Sequence, residues 1–195
     1  AWKDGIVGRL NTGVAGLLKK AGVKAVVGWA KFRDGKTVEV ETETGVQIIR
    51  AETIVIATGS KPVELPFLPF GGNVISSTEA LALPAVPKTL AVVGGGYIGL
   101  ELGTAFAKLG AEVTVVEAQS RILPLYDTEL TRPVTKRLDA LGFKVLTNAK
   151  ARGLASSGDA LIIETGDGSE QAIPAEKVLV TVGRRPAVPR SSGSR

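Results

Sequence analysis

The stretch from Leu90 to Ala118, LAVVGGGYIGLELGTAFAKLGAEVTVVEA, constrains the fold more than any other part of the chain. A short apolar strand pattern runs into three successive glycines, a helical pattern follows from Tyr97 to Leu109, and a second apolar strand pattern ends at Glu117. That order is a strand-helix-strand unit of a parallel sheet. Within it Gly94, Gly96 and Gly99 stand at GxGxxG spacing. Gly94 permits the tight turn, Gly96 lets backbone approach a pyrophosphate, and Gly99 lets helix and strand pack closely. The phosphates would sit on free N–H groups at the positive end of the helix dipole. Gly103 extends the small face of the same helix.

A glycine-rich turn can also exist without a ligand. The context argues otherwise: a strand before, a helix after, and an acidic residue at the end of the next strand. Glu117 lies 21 residues beyond Gly96, where a dinucleotide motif places an acid about 20 residues on. Its carboxylate can accept hydrogen bonds from both adenosine ribose hydroxyls, whereas the 2′-phosphate of NADP would meet like charge. NAD is therefore expected over NADP. Arg121 lies near enough in sequence to face such a phosphate but is expected to be a solvated surface charge.

The alternation continues downstream. A helical pattern from Asp127 to Leu141 carries Pro133, expected near its first turn or at a kink, and FKVLT follows as a strand. Such alternation calls for an α/β fold, a parallel sheet with helices on both faces. ALIIET and QAIPAE, on either side of Gly166 to Gly168, read as two further strands, and KVLVTVG closes the unit. Upstream, Trp2, Ile6, Leu10, Val14, Leu17 and Leu18 recur at helical spacing in a segment ended by Gly22. From Val23 the period becomes two, with turns at Asp34-Gly35 and Thr44-Gly45, a three-stranded β-meander. Ile54-Val55-Ile56 reads as a strand buried on both faces. Lys61 to Pro87, rich in Pro and Gly, reads as a crossover with a short helix around Thr78 to Leu83. Residues 184–195 show no periodicity and are expected to be a disordered tail.

Composition narrows the chemistry. The 195 residues contain no Cys, no His and no Met, which removes disulfides, thiolate nucleophiles, imidazole acid-base catalysis and nearly all zinc sites; no metal is expected. The net charge of +5 invites a nucleic-acid reading. Four of the 24 basic residues, however, Arg184, Arg185, Arg190 and Arg195, lie in the last twelve positions, where there is no acid. The body then carries 20 basic against 19 acidic side chains. Neither nucleic acid nor a membrane is an expected partner: the aromatic residues are few and scattered, and the most apolar stretch, Leu90 to Leu109, is broken by Glu101, Lys108 and several glycines. With no signal-peptide pattern at the front, the chain reads as cytoplasmic.

Taken together, ETIVIATGSKP, the Pro-rich crossover with ISSTEAL, GGGYIGLELG, VTVVEAQSRILP and VLVTVGRRP resemble the pyridine nucleotide-disulfide oxidoreductases. The resemblance runs from Ala1 to about Pro186. It implies that residues 1–87 are the second part of an FAD-binding domain, and that residues 88–183 are a complete Rossmann-like NAD-binding domain, a parallel sheet with helices and a β-meander, leaving 184–195 as tail. It implies NAD contacts at Gly94, Gly95, Gly96, Tyr97, Ile98, Gly99, Glu117, Lys150, Thr181, Val182, Gly183 and Arg184. Ala30, Ala57, Thr58 and Gly59 would meet FAD. Tyr97 would act as a lid over the nicotinamide pocket, or simply pack on the sheet; Glu101 would pair with a Lys beyond the redox cysteines, or face solvent. Neither makes this chain catalytic.

The resemblance further implies a complete enzyme in which electrons pass from dihydrolipoamide through a Cys pair and FAD to NAD. That enzyme would be a homodimer within a 2-oxoacid dehydrogenase complex, with WKDGIV, GWAKF and GGGYIGLELG closest to the branched-chain type. The first FAD motif, the CxxxxC pair, the later flavin motif and the interface domain with its His-Glu base are not in the sequence. With a start at Ala1-Trp2-Lys3, the chain is expected to be an internal piece of a flavoprotein, its FAD site incomplete and its isolated turnover lost. A standalone NAD-binding or regulatory module, and a glutathione reductase-like disulfide reductase, are the alternatives.

Overall fold

The computed structural model describes residues 2–188. The chain divides into two compact units between Ala57 and Thr58.

The first unit opens with helix α1, Trp2–Lys20. Its end is chemically defined: Val23 N–H reaches back to the Leu18 carbonyl and Gly22 N–H to that of Lys19, while Gly22 takes the left-handed conformation at φ +72° that this helix stop requires. Strands β1 (Trp29–Phe32), β2 (Thr37–Thr42) and β3 (Gly45–Arg50) follow as the expected antiparallel meander. No residue of α1 is buried. Val40 is the only buried hydrophobic residue of this unit among the described residues. The expected buried strand at Ile54-Val55-Ile56 is not formed: the segment has no strand assignment, and Val55 and Ile56 are 84% and 58% exposed. A strand exists only through its hydrogen-bonded neighbours, and the described residues place none beside this run.

The second unit holds nearly the whole core. Its strands are β4 (Ser60–Pro62), β5 (Val74–Ile75), β6 (Thr89–Val93), β7 (Glu112–Val116), β8 (Lys144–Leu146), β9 (Lys150–Leu154), β10 (Ala160–Glu164), β11 (Glu170–Pro174), β12 (Lys177–Val180) and β13 (Arg184–Pro186). Helices α2 (Ser77–Ala80), α3 (Tyr97–Lys108) and α4 (Thr128–Ala140) lie among them. A parallel sheet runs in the order β5-β12-β6-β7-β8. A three-stranded antiparallel sheet runs β11-β10-β9.

Both faces of the parallel sheet are covered, by different material. Leu90, Val92, Val113, Val115 and Leu179 pack in one cluster with Ala80 of α2, Leu100 and Phe106 of α3, and Leu138 of α4. Their sequence neighbours Ala91, Val93, Val116, Val178 and Val180 pack in a second cluster with Ala151, Leu161 and Ile163 of the antiparallel sheet. The period of two sends alternate residues to opposite faces. The expectation of helices on both faces is thus corrected: helices cover one face, and the expected β-meander covers the other. The cause lies in the sequence between Phe143 and Lys177, which has no helical period and forms β9 to β11.

The Pro-rich crossover is more ordered than expected. It supplies β5 to the edge of the parallel sheet and α2, shorter than anticipated, which starts in a capping box: Ser76 Oγ accepts from Thr78 N–H, and the Glu79 carboxylate accepts from Ser76 N–H at 2.8 Å. The expectation of a disordered tail from residue 184 is also corrected. Arg184–Pro186 form β13, antiparallel to β4, because Arg184 donates from Nε and its terminal nitrogen to the hydroxyl and carbonyl of Ser60, both at 2.7 Å. The rest of that expectation falls on residues 189–195, outside the described residues. Among the described residues no helix is long and apolar enough to cross a membrane.

Candidate functional site

The chain leaves β6 toward β7 and β8 on one side, while β12 and β5 lie on the other. At such a reversal the loops after adjacent strands diverge, and a crevice opens at the carboxyl ends of the strands. Here the crevice has a volume of about 730 Å³ and is lined at the end of β6 by Val93 and Gly94, at the end of β7 by Val116 and Glu117, and between β12 and the start of β13 by Thr181 to Arg184.

The glycine-rich turn crosses this edge. Gly94 has φ +104°, and a Cβ there would lie 2.7 Å from the Thr181 carbonyl oxygen, so both conformation and space demand glycine. Gly99 sits in α3 where a Cβ would meet Thr181 Oγ1 at 2.5 Å and the Gly94 carbonyl at 2.6 Å. Thr181 is fixed in turn, its hydroxyl donating to the carbonyls of Val93 and Gly94 at 3.2 and 3.1 Å. Gly96 differs: a Cβ there would meet nothing within 4 Å. It is the N-cap of α3 and offers no side-chain acceptor to the first turn. The orphan N–H groups at this helix start therefore face a crevice with room for a ligand.

Glu117 is buried, 8% exposed. Oε2 accepts from Gly95 N–H at 2.6 Å and Oε1 from Gln119 N–H at 2.7 Å. Each carboxylate oxygen keeps a further lone-pair site, so acceptance from a ribose hydroxyl is compatible with these bonds. Arg121 departs from its expected role as a solvated surface charge. Its guanidinium donates to the carbonyls of Pro124 at 2.8 Å and Tyr126 at 2.9 Å and to the Thr128 hydroxyl at 3.1 Å. The carbonyls of a tight loop hold it, although the side chain stays partly exposed.

Of the residues singled out from sequence, Gly94, Gly96, Tyr97, Ile98, Glu117, Lys150, Thr181, Val182, Gly183 and Arg184 all line the crevice. Gly95 and Gly99 are buried behind it. Thr58 and Gly59 are exposed and do not line it, and Ala30 and Ala57 belong to the first unit. The exposed side chain of Glu101 faces a smaller cavity of about 350 Å³, with Tyr97, Leu100, Thr104 and Leu123. Sequence reasoning missed Leu65 and Phe67 of the crossover, Tyr126, and Arg152 on β9, all of which line the crevice. Arg152 shares a strand face with Lys150 at spacing two and is bonded to Glu164, from Nε at 2.9 Å. The signal for it was the strand β9, which the interruption at Gly153 concealed. Among the described residues no group of acidic side chains could hold a metal.

A switch-point crevice, a glycine turn with open helix N–H groups and an acid closing the second strand define a Rossmann-type dinucleotide-binding unit. The chain belongs to the pyridine nucleotide-disulphide oxidoreductase family, whose sequence profile matches residues 4–192. The family uses FAD and NAD. The chain is 56% identical over 193 residues to a dihydrolipoyl dehydrogenase of Pseudomonas aeruginosa, covering 98% of this chain and 40% of that protein. To the dihydrolipoyl dehydrogenase of Geobacillus stearothermophilus it is 44% identical, with 95% and 40% covered. The HOCl-induced flavoprotein disulfide reductase RclA from Escherichia coli superposes with a TM-score of 0.80 at 28% identity, covering 95% of this chain and 42% of that one. The chain thus spans about 40% of the length of the curated relatives it matches.

Proposed function

We propose that the chain is the NAD-binding part, with a portion of the flavin cradle, of a dihydrolipoyl dehydrogenase. The complete enzyme converts dihydrolipoamide and NAD⁺ to lipoamide, NADH and a proton. The observation that carries this reading is the pairing of open N–H groups at the start of α3 with Glu117 at the end of β7, both on one crevice. NAD, when bound, supplies the hydride acceptor. The chain's own residues bind and orient it: the turn at Gly94 to Ile98 takes the pyrophosphate, Glu117 takes the adenosine ribose and repels a 2′-phosphate, and Lys150 lies at the adenine end. Tyr97 would cover the nicotinamide pocket, and the turn Thr181 to Arg184, on the same crevice, would add NAD contacts. The crevice volume suits a molecule of this size.

The flavin is a different case. Ala30, Ala57, Thr58 and Gly59 line no cavity described above, and the exposed run before Gly59 offers no enclosed site. In this reading they meet FAD only together with the remainder of the flavoprotein, in a homodimeric cytoplasmic parent within a 2-oxoacid dehydrogenase complex, and the isolated chain turns over no dihydrolipoamide. Support for the parent comes from the likeness to the dihydrolipoyl dehydrogenases.

Titration of the 195-residue chain with NADH, followed by nucleotide fluorescence, tests the binding reading. Saturable binding that weakens in Glu117→Ala supports it; no binding to the unsubstituted chain overturns it.

A further inference from the structure

We propose that Arg121 is a positioning residue of the dinucleotide crevice, acting on the pyrophosphate turn through the loop it holds. The inference rests on the NAD reading for its ligand and on the hydrogen bonds for its geometry. The peptide groups flanking Gly95 are gripped on two sides. The Gly95 N–H donates to Glu117 Oε2 at 2.6 Å, and the Gly95 carbonyl accepts from Leu123 N–H at 2.9 Å. Leu123 is one of two non-glycine residues at positive φ among the described residues, at +49°, a conformation that costs energy and persists only where its surroundings enforce it. The enforcing group is Arg121, whose guanidinium binds three acceptors within residues 124–128.

The planar fork is what reaches three acceptors at once; an ammonium on a Lys stem cannot reproduce it. Ile122 adds packing, buried at 5% exposure and so placed that a Cβ on Gly95 would meet its Cγ2 at 2.9 Å. The chain of support therefore runs from Arg121 to Leu123, to the Gly95 carbonyl, and so to the turn that leaves the α3 N–H groups open. Glu117 supports the same peptide from its other side. None of these bonds directs Arg121 at a ligand, so its effect on a dinucleotide is indirect and the same for NAD and NADP.

The test uses the full chain carrying Arg121→Gln, Arg121→Lys or Thr128→Val, the last removing one acceptor of the fork. NADH and NADPH are titrated into each, and amide hydrogen exchange is followed by NMR. Both Arg121 variants are expected to weaken both nucleotides by about tenfold, the net worth of one charge-assisted hydrogen bond, with their ratio unchanged. The Leu123 and Gly95 amides should exchange faster while those of Val92 and Val115 in the central sheet stay protected. Thr128→Val should give a smaller change of the same kind. Unchanged binding, or full recovery in Arg121→Lys, overturns the proposal. A selective loss of NADPH overturns it too, because Arg121 would then reach the 2′-phosphate. If the Arg121 variants lose protection throughout the sheet, Thr128→Val decides, and unchanged Leu123 exchange in it counts against the proposal. Absence of NADH binding to the unsubstituted chain removes the NAD reading alone, and the exchange rates still judge the role of Arg121.

Discussion

Two glycines three positions apart should fail in opposite ways when replaced by Ala. At Gly96 the backbone is extended, φ −80° and ψ 173°, which Ala adopts without strain, and its Cβ meets nothing within 4 Å. Restricting the unfolded chain stabilises by about 0.4–1 kcal/mol, and Ala is a poorer N-cap than Gly by a similar amount. The fold should therefore hold to within about 1 kcal/mol. The new methyl, however, occupies the space a pyrophosphate oxygen needs to come within about 2.9 Å of the N–H groups. Losing two charge-assisted bonds weakens NAD by at least about 100-fold.

Gly99→Ala faces contacts of 2.5, 2.6 and 2.8 Å with Thr181 Oγ1, the Gly94 carbonyl and Val92 Cγ1. Helix propensity gains about 1 kcal/mol, against about 1–3 kcal/mol for overpacking, since the Gly94 carbonyl is backbone and the Thr181 hydroxyl is held by its own hydrogen bonds. The sign is destabilising. Urea unfolding and NADH titration on both variants separate the cases. Tight NADH binding by Gly96→Ala, or undiminished stability of Gly99→Ala, refutes the assignment of these glycines.

Other outcomes follow from the same structure. Ser76→Ala should cost the second unit about 1 kcal/mol in denaturant unfolding, since it removes the cap of α2. The Ser76 hydroxyl, then its backbone N–H, hold the Glu79 carboxyl below its ordinary value of 4.5. That support is present above about 4.5 and fades as pH falls through the lowered native value, so Glu79→Gln should flatten the acid limb of the stability profile in that window. Asp167, held down to about 2 first by the Thr165 hydroxyl and then by the Ser169 N–H and hydroxyl, should titrate there by NMR and return toward 3.8 in Thr165→Val. Leu161→Ala, at a fully buried position of the second core, should cost about 2–5 kcal/mol in the same unfolding assay. Limited proteolysis should cut first in residues 2–57, where α1 buries nothing and every residue of β3 is exposed; earlier cleavage within β6 to β12 would contradict that.

What the sequence disclosed was set by how local each signal is. The strand, glycine turn, helix and Glu117 were legible because each needs only its own residues to declare itself. The apolar run Leu90, Ala91, Val92 and Val93 marked a strand and the downstream strands a β-meander, but no local pattern told which face of the parallel sheet would meet Leu161 and Ile163. Strand β9 escaped notice because its five residues, KARGL, carry a glycine at Gly153 and only one large apolar side chain, Leu154. Ile54 to Ile56 misled in the opposite sense: an apolar run marks a strand only where neighbours exist to pair with it. Arg121 was read by its charge, whereas its role is decided by carbonyls at Pro124 and Tyr126 that a loop geometry brings to it. The ribbon of β4 and β13 joins residues far apart in sequence, and no local pattern foretold it.

The central claim is that the crevice at the carboxyl ends of β6, β7 and β12 takes NAD through the glycine turn and Glu117. The direct measurement is amide chemical-shift mapping of the chain on addition of NAD, with NADP at equal concentration in parallel. The expected result is saturable shifts at Gly94 to Gly99, Glu117 and Thr181 to Arg184 with NAD, and much weaker ones with NADP. Shifts confined to other residues, or equal responses to the two nucleotides, would contradict it.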